Sequence, residues 1–148
     1  MTMSEPIAAI RKELILPIAP DRVFRLFTAD IDRWWPLATH SVEGEDAAGV
    51  SIDGRVGGLI AEASTTGRRH VWGTIQLWDP PRRFVTTWHP GRPADAPTEL
   101  EVRFEPWEDG TRLVLEHRGW EHAAWIGDRS NYESGWDPVL ARFVETVR

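Results

Sequence analysis

The chain of 148 residues contains no cysteine. Disulfides, thiolate metal sites and a cysteine nucleophile are thereby excluded, and a cytoplasmic setting is the expectation. No apolar run approaches the roughly 20 residues needed to cross a bilayer, so membrane insertion is not expected. Residues 1–10 lack the charged-then-apolar pattern and small-residue cleavage site of a signal peptide. Basic blocks are missing as well. Arginines double only at Arg68-Arg69 and Arg82-Arg83, and 17 basic residues against 23 acidic ones leave a formal net charge of −6. A nucleic-acid partner calls for a basic face that displaces counterions from phosphate, and an anionic membrane surface calls for the same sign of charge. Neither is expected. The G-x-S-x-G, H-E-x-x-H, P-loop and G-x-G-x-x-G patterns are also absent. The five histidines include no pair at metal-ligand spacing. No metal and no cofactor are expected, and no catalytic motif is found.

Tryptophan is what the chain has in excess: nine, beside a single tyrosine. Each buries on the order of 150–250 Å². One small core cannot enclose all nine, so some should line a cavity, a groove or an interface.

Periodicity supplies the frame. Residues 9–18 suit a first strand with Ile10, Leu14, Leu16 and Ile18 on its apolar face. Pro20 and Asp21 open a helix carrying Val23, Phe24, Phe27 and Ile31 at helical spacing. A second short helix carries Ile31, Trp34 and Trp35 and stops at Pro36. His40 to Glu45, Val50 to Asp53, Leu59 to Ala63, Val71 to Trp78 and Phe84 to Trp88 are strand candidates, and His89 to Pro97 is a loop. Residues 98–105 alternate cleanly. Leu100, Val102 and Phe104 face inward, and Glu99, Glu101, Arg103 and Glu105 form a wet outer face. Beyond the Glu108-Asp109-Gly110 turn, Leu113, Leu115 and His117 share the inner face of the next strand.

After Gly119 the period changes. Glu121 to Ile126 suits a short helical turn capped by Gly127, and Asp128 suits the N-cap of a final helix. Trp136, Val139, Leu140, Phe143, Val144 and Val147 form its apolar stripe. Pro138 either kinks that helix or marks its start, with Asp137 as cap. The expected fold class is therefore α+β, one domain over 1–148, with an antiparallel sheet covered by a long C-terminal helix.

The cavity candidates are Trp34, Trp35, His40, Trp72, Trp88, Phe104, His117, Trp120 and Trp136. Trp125 is a further wall candidate, while Trp78 and Trp107 sit beside prolines as turn packing. The Trp34-Trp35-Pro36 corner and His40 are expected near the entrance. His117 reads either as a core histidine bonded to backbone or as a polar contact at the pocket mouth. Glu62, between two alanines, is expected to point into solvent.

Motifs in order along nearly the whole chain resemble the START-like (helix-grip, Bet v 1-like, SRPBCC) superfamily. The branch is the one similar to the C-terminal domain of the activator of Hsp90 ATPase. They are A-P-D-R-V-F at 19–24, D-R-W-W-P at 32–36, V-G-G at 56–58, H-V-W-G-T-I at 70–75 and W-D-P-P-R-R-F at 78–84. T-x-W at 86–88, D-G-T-R-L-V-L-E-H-R-G-W at 109–120 and Y-E-S-G-W at 132–136 follow. The resemblance implies a sheet wrapped around the C-terminal helix with a hydrophobic cavity between them. It leaves function open, because fold-mates bind lipids, hormones or polyketides, act as cyclases or hydrolases, or contact chaperones. The leading expectation is binding of a small hydrophobic or aromatic ligand, lipid or polyketide-like. The alternatives are a cyclase- or hydrolase-type enzyme using His40 or His117 as acid–base group, and a chaperone-interaction module with a chaperone partner. A homodimer also stays open.

Overall fold

The period-two segments of the sequence become seven strands of one antiparallel sheet in the computed structural model, which describes residues 8–122 and 129–147. The strands are β1 (Ile10–Leu16), β2 (Ala47–Ile52), β3 (Leu59–Ser64), β4 (Arg69–Asp79), β5 (Arg83–Trp88), β6 (Thr98–Trp107) and β7 (Gly110–Arg118). Their spatial order is β1-β7-β6-β5-β4-β3-β2, so hairpins connect β2 to β7 in sequence and β1 returns to pair with β7. Helix α1 (Pro20–Phe27) and a 3-10 turn (Ile31–Arg33) follow β1, and helix α2 (Arg129–Val147) ends the chain across the inner face. This is the α+β helix-grip fold that the motifs implied.

Local chemistry explains the elements. Pro20 occupies the start of α1, where a missing N–H costs nothing, and Asp21 and Arg25 sit at the ends that suit their charges. The apolar side chains Val23, Phe24 and Phe27 then face the sheet. The stretch His40 to Glu45 is not the strand expected from its sequence. Its amides are taken by side chains instead: Val42 and Glu43 donate to Glu62, and Gly44 donates to Ser41 Oγ. A 3-10 turn (Gly44–Asp46) leads from it into β2.

Helix α2 runs unbroken through Pro138. Asp137 is therefore not its cap, and the ring points to solvent where only a helical hydrogen bond is lost. The Gly127 and Asp128 caps and Trp125 lie outside the described residues; of the preceding turn, Trp120–His122 is described and is a 3-10 turn.

The interior divides into two halves. In the first, Phe24 and Phe27 of α1 meet Phe84, Phe104 and Phe143 with ring centroids 5.1–6.3 Å apart. That half is solid. The second half holds the tryptophans described below. On the outer face one expectation fails: Glu101 is buried, not solvated, because Arg83, Arg103 and Arg118 from the flanking strands and its own strand close over it.

Candidate functional site: a box of four tryptophans

Four indoles from four different elements meet beneath α2. Trp35 follows the 3-10 turn, Trp72 lies on β4, Trp88 on β5 and Trp136 on α2. Their ring centroids stand 5.2 Å (Trp35–Trp72), 5.6 Å (Trp72–Trp88), 5.7 Å (Trp88–Trp136) and 5.9 Å (Trp35–Trp136) apart. Each such tilted or edge-on pair contributes about 0.5–1.5 kcal/mol beyond area burial.

A sheet irregularity places Trp72. Ile60 pairs with Gly73 and Ala61 with Val71, so Trp72 is the extra residue of a bulge in β4. Bulges re-aim side chains, and here the bulged residue is buried in the box. Gly73 beside it admits no side chain, since a Cβ there would stand 1.9 Å from the Thr87 carbonyl oxygen.

A half-open cavity of about 460 Å³ lies over the box, lined by its four indoles, by the 39–42 loop, by Pro90 and Gly91, and by Asn131, Tyr132, Gly135 and Val139 of α2. This volume falls within the range of roughly 300–1,000 Å³ usual for small-molecule sites. Of the residues singled out in the sequence, Trp35, His40, Trp72, Trp88 and Trp136 border it. The other four are packed elsewhere. Trp34 donates to the Leu26 carbonyl and packs at an angle on Phe27 and Phe143. Phe104 belongs to the phenylalanine half. Trp120 donates to the His117 carbonyl, and its ring packs at a tilt on the His117 and Tyr132 rings. His117 is fully buried behind Trp136. Trp78 packs on Phe24 and Phe84, and Trp107 lies under the Arg112 guanidinium.

Three of the four indole N–H groups in the box are committed to the protein. Trp35 donates to the His40 carbonyl at 2.7 Å, Trp72 to Glu62 Oε1 at 3.0 Å and Trp136 to His117 Nδ1 at 3.2 Å. The fourth, Trp88, is buried with no hydrogen-bond partner among the described residues. Its N–H lies near the Tyr132 hydroxyl without reaching hydrogen-bond geometry; burial pushes that phenol's pKa up, and the Trp88 N–H and the Arg92 charge partly oppose the rise. Tyr132 is thus a neutral donor near pH 7.

The polar side of the cavity is short. His40 Nδ1 bonds Thr39 Oγ1 at 2.8 Å, and the ring lines the cavity and is partly exposed. His117 has a different role. An indole can only donate, so Nδ1 accepts and the proton sits on Nε2, which donates to Thr98 Oγ1 at 2.7 Å. Thr98 in turn donates to the Trp88 carbonyl at 2.9 Å. The imidazole is held neutral; burial, with a smaller push from Arg129, lowers its pKa to about 3.

Glu62 is the residue that sequence reasoning misplaced. It is fully buried on the inner face of β3 with Ile60 and Ser64, the period-two neighbours it shares that face with. Its carboxylate accepts Val42 N–H and Trp72 Nε1–H on Oε1, and Glu43 N–H on Oε2. The small alanines on either side carried no signal of direction. Among the described residues no group of His, Asp or Glu could hold a metal ion, and no helix is long and apolar enough to cross a membrane.

The sequence profile of the family described as activator of Hsp90 ATPase homolog 1-like protein matches residues 17–148. No curated protein sequence matches the chain. Among solved structures, Txn09, an anthrahydroquino-γ-pyrone synthase, is 31% identical over 97% of this chain and 99% of its own, with a TM-score of 0.65. The Aha1 dimer of Colwellia psychrerythraea is 17% identical over 95% of this chain and 96% of its own, with a TM-score of 0.67. Protein CV1439 of Chromobacterium violaceum is 21% identical over 95% and 98%, with a TM-score of 0.66. The last two likenesses concern the fold alone.

Proposed function

Since the chain belongs to the activator of Hsp90 ATPase homolog 1-like family, whose fold does not fix one activity, we propose that it binds a small, flat aromatic molecule of polyketide type in the tryptophan-lined cavity. The observation that carries this reading is the box itself. Four indoles offer flat apolar faces to one cavity of about 460 Å³, and a planar ring system gains most from such faces. The uncommitted Trp88 N–H supports a ligand with an oxygen acceptor on its edge, because a buried donor left unpaired is costly. A saturated lipid tail supplies neither feature.

The test is direct. Anthraquinone-2-sulfonate and palmitate are titrated into the protein while tryptophan fluorescence and thermal unfolding are followed. The aromatic probe should quench fluorescence and, at a hundred times its Kd, stabilise by about 2.7 kcal/mol. Palmitate alone binding would favour the lipid form of the reading, and no response to either would remove both.

A second reading has one specific observation in its favour. The relative at 31% identity is a synthase of an anthrahydroquino-γ-pyrone, so ring closure on such a ligand is a natural activity for this cavity. His40 would be its acid–base group and Tyr132 a hydrogen-bond donor to the substrate. His40→Gln should then abolish turnover while leaving quenching by the probe intact. The chaperone-module reading draws less support, since it rests on the family description and a likeness of fold alone. Self-association, suggested by the dimeric Colwellia relative, is checked by sedimentation.

A further inference from the structure

We propose that Glu62 is a positioning residue of this cavity, a buried carboxylate that holds the Trp72 wall and the Val42–Glu43 rim in one arrangement. The inference rests on the ligand-binding reading above and deepens it. Glu62 sits on β3, a strand away from Trp72 on β4 and about twenty residues along the chain from the rim loop. It is fully buried, yet its contacts run to both sides of the cavity. Oε1 receives Val42 N–H at 2.8 Å and Trp72 Nε1–H at 3.0 Å, and Oε2 receives Glu43 N–H at 2.8 Å. One carboxylate oxygen is therefore shared between wall and rim.

The arrangement has a job that packing alone leaves undone. Trp72 is a bulge residue in the pairing with β3, so this ladder does not set its direction. The rim loop likewise has no strand partner at Val42 and Glu43, whose amides end on Glu62. Ring packing holds the faces of Trp72, and the carboxylate adds the one bond that fixes its indole edge to the rim amides. The loop is also tied by Trp35 Nε1–H to the His40 carbonyl, by Gly44 N–H to Ser41 Oγ, and near the surface by Glu43 Oε2 to His70 Nε2 at 2.8 Å. None of these bonds reaches the Trp72 indole N–H, which ends on Glu62. An apolar residue of the same size at position 62 would fill the space and satisfy none of the three donors.

Glu62→Gln separates positioning from bulk. The amide keeps the shape but is neutral and has one acceptor oxygen, so the Trp72 and Val42 bonds that share the Oε1 position lose their charge assistance. With that oxygen at the Oε1 position, its NH₂ faces the Glu43 N–H, donor against donor. Binding of anthraquinone-2-sulfonate is measured for the wild type, Glu62→Gln, Trp72→Phe and the double variant, each first shown to be fully folded by near-UV circular dichroism. The expected result is about a tenfold weaker Kd for Glu62→Gln, with faster dissociation. The double variant should lose less than the two single losses combined, because the two residues act as one unit. A Kd unchanged in folded Glu62→Gln, with only a lower Tm, would overturn the proposal, as would a strictly additive cycle.

Failure of the wild type to bind the probe would sink the proposed function, not the coupling, which hydrogen exchange then reads without ligand. In Glu62→Gln, exchange of the Trp72 indole proton and of the Val42 and Glu43 amides should speed up together. Faster exchange at the rim with the Trp72 indole unchanged, or the reverse, would show that wall and rim are held separately and would refute the inference.

Discussion

The indole of Trp136 donates to Nδ1 of His117 at 3.2 Å, and both rings are buried. The bond fixes a neutral imidazole, because a second proton on Nδ1 would face the indole N–H. It also makes the final helix pH-sensitive. The folded pKa is lowered from 6.5 to about 3 by burial, with Arg129 adding to it. Between those values the unfolded chain binds one proton more than the folded chain. Stability from this group is complete above about pH 6.5 and is lost as pH falls toward 3, by about 1.4 kcal/mol per pH unit. Urea melts at pH 7, 6, 5 and 4.5 should show that slope, and His117→Gln should remove it. Equal slopes in the two proteins would refute the assignment.

Trp88→Phe removes the box's unpaired donor and keeps an aromatic ring. Its stability cost should stay within about 1 kcal/mol, since the lost packing is offset by relief of an unsatisfied N–H. Trp72→Phe strips a donor from buried Glu62 and should cost more, about 1–3 kcal/mol. Toward ligands the order reverses in an informative way. Trp88→Phe should weaken anthraquinone-2-sulfonate about tenfold and leave anthracene-2-sulfonate, which lacks the carbonyl oxygens, unchanged. Calorimetric titration of both probes decides it; equal losses would mean that the N–H does not read an oxygen.

Much of this was legible in the sequence where one period dominates. The alternation of 98–105 and the stripe from Trp136 to Val147 gave β6 and the buried face of α2. Tryptophan excess pointed to a lined cavity, and Trp35, Trp72, Trp88 and Trp136 do line one. Trp34 and Phe104 were indistinguishable from them by pattern, because what fills their half of the interior is Phe24 and Phe27, arriving from α1. Glu62 and Glu101 were read as solvated because charge suggests water. Most of their partners come from other strands and loops, eighteen or more residues away for Arg83 and Val42, and strand order is not written in local periodicity. The bulge at Trp72 is a property of pairing, so it too needed the sheet.

Glu101 shows the same physics on the outer face. It is 6% exposed, and although burial raises its pKa, bonds and charges from Arg118, Arg103 and Arg83 outweigh that and hold the carboxyl below the usual range. Glu101→Ala would leave those guanidiniums facing one another without their shared anion. It should destabilise by about 1–2 kcal/mol, more than an exposed pair but less than a fully buried one, because the arginines keep partial contact with solvent. Urea unfolding at low and high salt measures it. A cost below about 0.5 kcal/mol would place the cluster with ordinary surface pairs.

Two glycines near the box should respond in opposite directions. A methyl at Gly73 would meet the Thr87 carbonyl at 1.9 Å and Thr86 Oγ1 at 2.8 Å, so β4 and β5 must part beside Trp72. Gly73→Ala should cost about 1–3 kcal/mol or more and shift tryptophan emission to the red. Gly135 lies inside α2 on the cavity wall with nothing within 4 Å of an added Cβ. Gly135→Ala should therefore stabilise by about 0.5–1 kcal/mol through helix propensity. Gly135→Leu projects a larger side chain into the same cavity, and it should stay folded while losing anthraquinone-2-sulfonate binding. Undiminished binding by folded Gly135→Leu would mean that the ligand does not occupy the space between α2 and the tryptophan box.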